Sequence, residues 1–233
     1  MRSGLLRLGV LASGGGTNLQ AILDATGAAA PRRLPAEVAV VISNVPGAGA
    51  LERARKAGVA TEVVPSKGVA DREGYDLRLV EALRGYGVEL VCLAGYMRIV
   101  TPAFLRAFGP TPATRGCPRV VNVHPGLLPS FPGLHAQRQC VEYGARFAGC
   151  TVHFVDEGTD TGPVIVQAVV PVLPGDTEEA LARRILEQEH RLYPQAIEWF
   201  AQGRLSVEGR RVAVDGAHAP SPAPVTNPPV ELG

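Results

Sequence analysis

Leu6-Arg7-Leu8-Gly9-Val10-Leu11-Ala12-Ser13-Gly14-Gly15-Gly16-Thr17-Asn18-Leu19-Gln20-Ala21-Ile22-Leu23 decides the fold. Residues 6–12 are an apolar run of strand length that ends in a glycine cluster. Leu19, Ile22 and Leu23 then recur at helical spacing, so the segment reads as strand, tight turn and helix. The alternation continues downstream. Residues 38–42 read as a second strand and 51–57 as a helix stopped by Gly58. Residues 61–64 follow as a third strand, 72–84 as a third helix and 88–94 as a fourth strand. Strands alternating with helices of this length require right-handed crossovers. They predict an α/β fold, a Rossmann-like and mostly parallel sheet with helices on both faces.

Further along, residues 120–124 read as a strand, 135–143 as a helix, 151–155 and 164–171 as strands and 177–192 as a long helix. Pro194 is expected to break or bend that helix. The segment 109–118 holds three prolines and two glycines and is expected to be an exposed loop. Residues 215–233 hold five prolines and little to bury, which predicts a disordered, proline-rich tail behind a single domain of residues 1–214.

A chain of 233 residues with 46% hydrophobic content suits one domain with a proper core. Lys plus Arg total 23 and Asp plus Glu 22, so the formal net charge of +1 gives no electrostatic reason to expect nucleic acid or a membrane surface as partner. Cys92, Cys117, Cys140 and Cys150 form no CxxC pair, and nothing at the N-terminus is laid out like a signal peptide. No apolar run approaches the roughly 20 residues of a spanning helix. The expectation is a soluble, reduced, cytoplasmic protein that acts on small molecules, as a monomer or homodimer.

In parallel sheets, ligands bind beyond the carboxyl ends of the strands, which singles out three places: the turn after the first strand, the turn after the fourth, and the end of the strand at residues 120–124. At Ser13-Gly14-Gly15-Gly16-Thr17-Asn18 a strand becomes a helix, so backbone N–H groups and the helix dipole can face one anion, naturally a phosphate. The segment is not a P-loop, since no Lys follows the last glycine, and it lacks G-x-G-x-x-G spacing. It reads equally as a tight turn capped by Thr17 or Asn18.

In Val120-Val121-Asn122-Val123-His124-Pro125, alternation puts Asn122 and His124 on one side of the strand. An amide beside an imidazole suits polarising a carbonyl and holding the oxyanion formed when a nucleophile attacks it. An isolated N-x-H is more often a satisfied buried histidine. Pro125-Gly126-Leu127-Leu128-Pro129 offers no Ser or Cys nucleophile, so an acyl group would pass directly. Asp160 lies in a polar loop between two apolar strands and matters only if it reaches His124, where a carboxylate would raise the imidazole pKa. The five histidines show no zinc spacing, so no metal is expected. His153, alternating within a strand, and Cys92, in an apolar run, read as structural.

Four segments together resemble a known family. Ala12-Ser13-Gly14-Gly15-Gly16-Thr17-Asn18-Leu19-Gln20, Leu93-Ala94-Gly95-Tyr96-Met97-Arg98, Asn122-Val123-His124-Pro125-Gly126-Leu127-Leu128-Pro129 and Asp160-Thr161-Gly162-Pro163 are similar to the phosphoribosylglycinamide formyltransferases. The match runs from about residue 6 to 208. The N-x-H-P-x-L-L-P segment and the downstream Asp-x-Gly are shared by all 10-formyltetrahydrofolate-dependent transferases of this fold. The glycine-rich start and Gln188-Glu189-His190 narrow the resemblance to the glycinamide ribonucleotide enzymes of purine biosynthesis.

The resemblance implies a Rossmann-like formyltransferase fold and 10-formyltetrahydrofolate as co-substrate, without a metal. It implies Asn122, His124 and Asp160 as the catalytic residues, with Asp160 holding His124 protonated. Gly16, Thr17, Asn18 and Glu189 would hold the phosphoribosyl amine. Arg72, Met97, Arg98, Ile99 and Val100, with Asp156, Glu157, Gly158 and Thr159, would line the folate pocket.

Gly126 departs from the family, which commonly has Ser or Ala after His-Pro, and the 109–118 loop is longer than usual. Three alternatives stay open. A methionyl-tRNA formyltransferase is expected to need a C-terminal nucleic-acid-binding domain for which the stretch after Glu208 is short. A folate deformylase would carry an N-terminal regulatory domain before its first strand. A non-catalytic phosphoribosyl-binding module would use the same sheet without chemistry.

Overall fold

The computed structural model of the protein describes residues 4–30, 33–218 and 225–227. β1 (Leu6–Ala12), β2 (Ala36–Ser43), β3 (Ala60–Val63), β4 (Leu90–Leu93) and β5 (Val120–His124) run parallel. The connections between them contain α1 (Thr17–Thr26), α2 (Gly49–Lys56), α3 (Arg72–Gly85) and α4 (Pro102–Ala107). β6 (Phe147–Phe154), reached through α5 (Ala136–Tyr143), and β7 (Val164–Pro171) extend the sheet antiparallel. The strand order is β3-β2-β1-β4-β5-β6-β7. After β1 the chain steps outward to β2 and β3, then returns to the other side of β1 as β4. That reversal opens a crevice at the carboxyl ends of β1 and β4, where ligands bind in sheets of this kind.

The strands are apolar on both faces because both are covered. Leu8, Val10, Cys92 and Val121 pack with Leu19 and Ile22 of α1, Ala50 and Ala54 of α2, and Tyr193 and Ile197 of α6 (Glu178–Ala201). Their alternates Leu11, Val91, Leu93 and Val120 pack with Tyr75, Leu79 and Leu83 of α3 and Phe104 of α4. Each such fully buried side chain contributes about 1.5–3 kcal/mol. Local signals agree with the helix starts. Asp71 accepts from Gly74 N at the head of α3, and Thr177 accepts from Ala180 N at the head of α6.

Four local expectations change. α6 runs through Pro194 to Ala201 instead of stopping near Leu192. The proline removes one backbone bond, at a cost of about 3 kcal/mol, but Tyr193 before it and Ala196, Ile197 and Phe200 beyond it are all core residues. The 109–118 segment is not wholly exposed. It contains a short 3₁₀ turn, Pro112–Thr114, and Thr114 and Cys117 are buried. α4 was not read from the sequence, and neither was the separate hairpin of β8 (Leu205–Glu208) and β9 (Arg211–Val214). The proline-rich stretch lies largely outside the described residues. Within its described part, Asp215 pairs with Arg115, and Asn227 donates to the carbonyls of Arg146 and Val172.

Candidate active site

Alternation along β5 puts Asn122 and His124 on one face, and the antiparallel pairing of β5 with β6 sets Asn122 directly opposite His153. The loop after β6 then turns back with Asp160 in the left-handed region, at φ 54°. Asp160 Oδ2 lies 3.2 Å from His124 Nδ1, and Oδ1 lies 3.6 Å from His153 Nε2. Asn122 Nδ2 is 3.5 Å from Asp160 Oδ1 and 3.3 Å from His153 Nε2. The three residues singled out in the sequence therefore form one cluster, joined by a fourth. His153 was read as structural. The available signal was a second polar residue, with Thr151, on one face of a strand buried from Ala148 onward.

The loop 130–133 closes the cluster through its backbone. His124 Nε2–H donates to Phe131 O at 2.9 Å, and Gly133 N–H donates to Asp160 Oδ2 at 2.8 Å. Both nitrogens of His124 thus face acceptors, an arrangement that satisfies the imidazolium. Burial opposes it. Desolvation pushes the His124 pKa down, and although Asp160 and the Phe131 carbonyl pull it up, the net direction is below the ordinary 6.5. The pull toward the charged form thus comes from Asp160 and from the Phe131 carbonyl together, against burial. Asp160 is ionised. Burial raises its carboxyl, but the neighbouring His153, the Gly133 N–H and His124 outweigh that and hold it below the usual value.

His153 Nδ1–H donates to Phe154 O at 2.9 Å, which leaves Nε2 as an acceptor for the Asn122 amide. That fixes Nδ2 toward the cluster. The 3.5 Å contact to Asp160 is at the limit of a hydrogen bond, so the second Asn122 N–H is available to a stronger acceptor. Gly126 packs directly on this arrangement. A Cβ there would lie 2.9 Å from His124 Nε2.

The turns after β1 and β4 lie beside the cluster at the same sheet edge. Ser13 N–H donates to Gly95 O, and Ser13 Oγ accepts from Met97 N. Neither Thr17 nor Asn18 caps α1: Gly16 stands at its head with φ 75° and makes no side-chain cap bond, among the described residues. The first N–H groups of the helix are left for a ligand. Asn18 Nδ2 donates instead to Glu189 Oε2 at 2.7 Å, while Asn18 Oδ1 is buried without a partner. Burial raises the Glu189 carboxyl pKa, with the Asn18 bond opposing.

On the other side of the cluster, Met97 and Ile99 are 64% and 55% exposed, apolar side chains with nothing covering them. Val100 is buried, so only its backbone can reach a ligand. Arg72 donates to Ile99 O, and Arg98 stacks on Tyr75 with its buried Nε unpaired. Asp156 accepts from Gly158 N and Thr161 Oγ1, which shapes the loop that carries Glu157 and Thr159 to Asp160.

The mostly parallel sheet with an antiparallel edge carries an Asn–His–Asp cluster at its carboxyl end, the architecture of an α/β transferase. The chain belongs to the formyl transferase family, whose model matches residues 6–197. It is 43% identical to the phosphoribosylglycinamide formyltransferase of Escherichia coli (strain K12) over 211 residues, 91% of this chain and 94% of that one. It is 48% identical over 197 residues to the trifunctional purine biosynthetic protein adenosine-3 of Drosophila melanogaster. That match covers 84% of this chain and only 14% of the fly protein. The crystal structure of glycinamide ribonucleotide transformylase 1 from Symbiobacterium toebii superposes with a TM-score of 0.83 at 54% identity, covering 91% of this chain and 95% of that one.

Proposed function

We propose that this protein transfers a formyl group from 10-formyltetrahydrofolate to the amine of 5-phosphoribosylglycinamide, in purine biosynthesis. The observation that carries the reading is the Asn122–His124–Asp160 cluster lying between an uncapped glycine-rich turn and an uncovered apolar ledge. The relatives named above, which carry this activity in their names, support it.

In this reading the phosphate sits on the turn at Gly16, Thr17 and Asn18, and Glu189 holds the sugar side of the acceptor. The folate lies along Arg72, Met97, Arg98, Ile99 and the backbone of Val100, under the loop of Asp156, Glu157, Gly158 and Thr159. The amine attacks the formyl carbon directly, forming the new C–N bond and a tetrahedral intermediate. Asn122 Nδ2 donates to the oxyanion, and so does His124 Nε2–H once it turns from Phe131 O. The charge of Asp160 and that of the developing oxyanion favour the imidazolium, whose proton comes from solvent water before the attack and stays on the ring through the transfer. Asp160 orders a water that carries the amine proton to the leaving nitrogen of the folate, and the old C–N bond breaks. The enzyme works in the cytoplasm on small molecules and calls on no metal, nucleic acid or membrane.

The test is tetrahydrofolate release with glycinamide ribonucleotide and water as competing acceptors. Fast release only with the amine is expected. Equal release to water points to a deformylase. Binding of the ribonucleotide without any release would leave only a binding module and overturn the proposal.

A further inference from the structure

The glycine-rich turn does not hold its own shape. Its carbonyls are tied to α2: Ala50 N–H donates to Gly14 O at 3.0 Å, and Arg53 Nε–H donates to Gly15 O at 2.8 Å. In a trans peptide the carbonyl and the next N–H point in opposite directions. Tying Gly14 O and Gly15 O to α2 therefore turns the N–H groups of Gly15 and Gly16 away from α2, to the side on which the uncapped helix α1 opens. The fit leaves no slack. Gly16 lies against α2 so closely that a Cβ there would be 2.7 Å from Ala50 Cα. A Cβ at Gly14 or Gly15 would meet nothing within 4 Å.

Arg53 brings charge as well as geometry. Its second hydrogen bond goes to the neutral Gln20 Oε1, at 3.1 Å. The carboxylate beside it on α2, Glu52, is engaged by Arg55 and Lys56. Among the described residues no carboxylate lies within ion-pair distance of Arg53, although it is partly buried. Its positive charge is felt at His190, whose Nε2 is buried without a partner and whose pKa burial pushes down, with Asp24 opposing and Arg53 adding to the fall. A partly buried guanidinium that spends its donors on a backbone carbonyl and an amide keeps its charge for an anion.

We propose that Arg53 is the positioning residue of the phosphate cradle. It pins the Gly15 peptide so that the turn's N–H groups converge on the phosphate of the acceptor, and it supplies uncompensated positive charge behind them. This rests on the acceptor reading above and deepens it: the enzyme selects phosphorylated over unphosphorylated amines through α2 as well as through the turn itself.

Two measurements on R53M and R53K test this. The first is thermal stabilisation of the free enzyme by inorganic phosphate, which reads the cradle without catalysis. Wild type and R53K should be stabilised, and R53M should need roughly 10–100-fold more phosphate for the same shift, as expected for loss of a charge-assisted contact. The second is steady-state kinetics. R53M should raise KM for the ribonucleotide by a similar factor, with kcat and the folate KM within about twofold of wild type. The dephosphorylated riboside should lose nothing. Wild-type phosphate affinity in R53M, or an equal loss for the riboside and for folate, overturns the proposal. If wild type fails to transfer formyl yet shows the Arg53-dependent phosphate effect, the function proposed above falls and this inference stands.

Discussion

His124 Nδ1 stands 3.2 Å from Asp160 Oδ2, and the two reach each other from different parts of the sheet: one from the end of parallel β5, the other from the loop beyond antiparallel β6. Burial lowers the histidine pKa and the carboxylate opposes that fall. Removing the negative charge in D160N therefore lowers the His124 pKa further. The protonated fraction then disappears at a lower pH, so the alkaline limb of kcat should move down in pH. Turnover should fall by about 10²–10⁴-fold, with folate binding retained. A pH–rate profile and a folate titration check this. Lost folate binding with intact turnover would contradict the assigned role.

Asn122 is held by His153 with one N–H and has only a 3.5 Å contact for the other. If that hydrogen meets the oxyanion, N122A loses one donor and kcat drops by roughly 10²–10³-fold with little change in KM. Near-normal turnover in N122A would remove Asn122 from the mechanism.

G126A places a methyl group 2.9 Å from His124 Nε2, too close to coexist with the present ring position. The ring should leave Phe131 O, a bond that supports its protonation. The expected result is a lower His124 pKa by NMR titration and a kcat loss of under about tenfold, the worth of one hydrogen bond. An unchanged titration would show that the ring does not need that space.

Tyr193 is fully buried, and its hydroxyl donates to both Leu93 O and Val121 O, at 2.9 and 3.1 Å. It therefore ties α6 to the ends of the two strands that lead into the site. Y193F leaves both carbonyls short of a donor, at a cost of about 1–3 kcal/mol, or roughly 3–10 °C in Tm. Calorimetry tests this, and at a temperature well below the transition the variant should still turn over.

Glu189 is buried and its pKa is raised above 4.5. A carboxyl whose folded pKa exceeds its unfolded value costs no stability below the unfolded pKa and its full penalty above the folded one. E189Q should accordingly melt like wild type below about pH 4.5 and above it at pH 7, while its KM for the acceptor rises. A Tm difference that shrinks as the pH rises would reverse the sign and refute this.

The sequence made some of this legible and left some hidden, for physical reasons. The β1 turn and the shared face of Asn122 and His124 followed from local periodicity, which needs no partner strand. His153 did not, because its place opposite Asn122 depends on the register of β5 against β6, a tertiary fact. The approach of Asp160 came from family resemblance, since it depends on a backbone turn that spacing does not encode. α4 had a visible signal, Pro102 at its first turn after Thr101. The last hairpin had one too, alternating residues around Gly209, but each strand is only four residues long. Pro194 misled because a single residue's propensity yields to a core-facing helix.

Asp160 sits at φ 54°, where a side chain is tolerated and glycine is at ease. Replacing it with glycine would relax the backbone but leave the Gly133 N–H and the His124 imidazole without their partner. Because the fold holds this carboxyl below its usual pKa, its charge steadies the native state at neutral pH as well as the site. A stability screen run without an activity filter should therefore retain Asp160 and discard D160G, strained backbone notwithstanding.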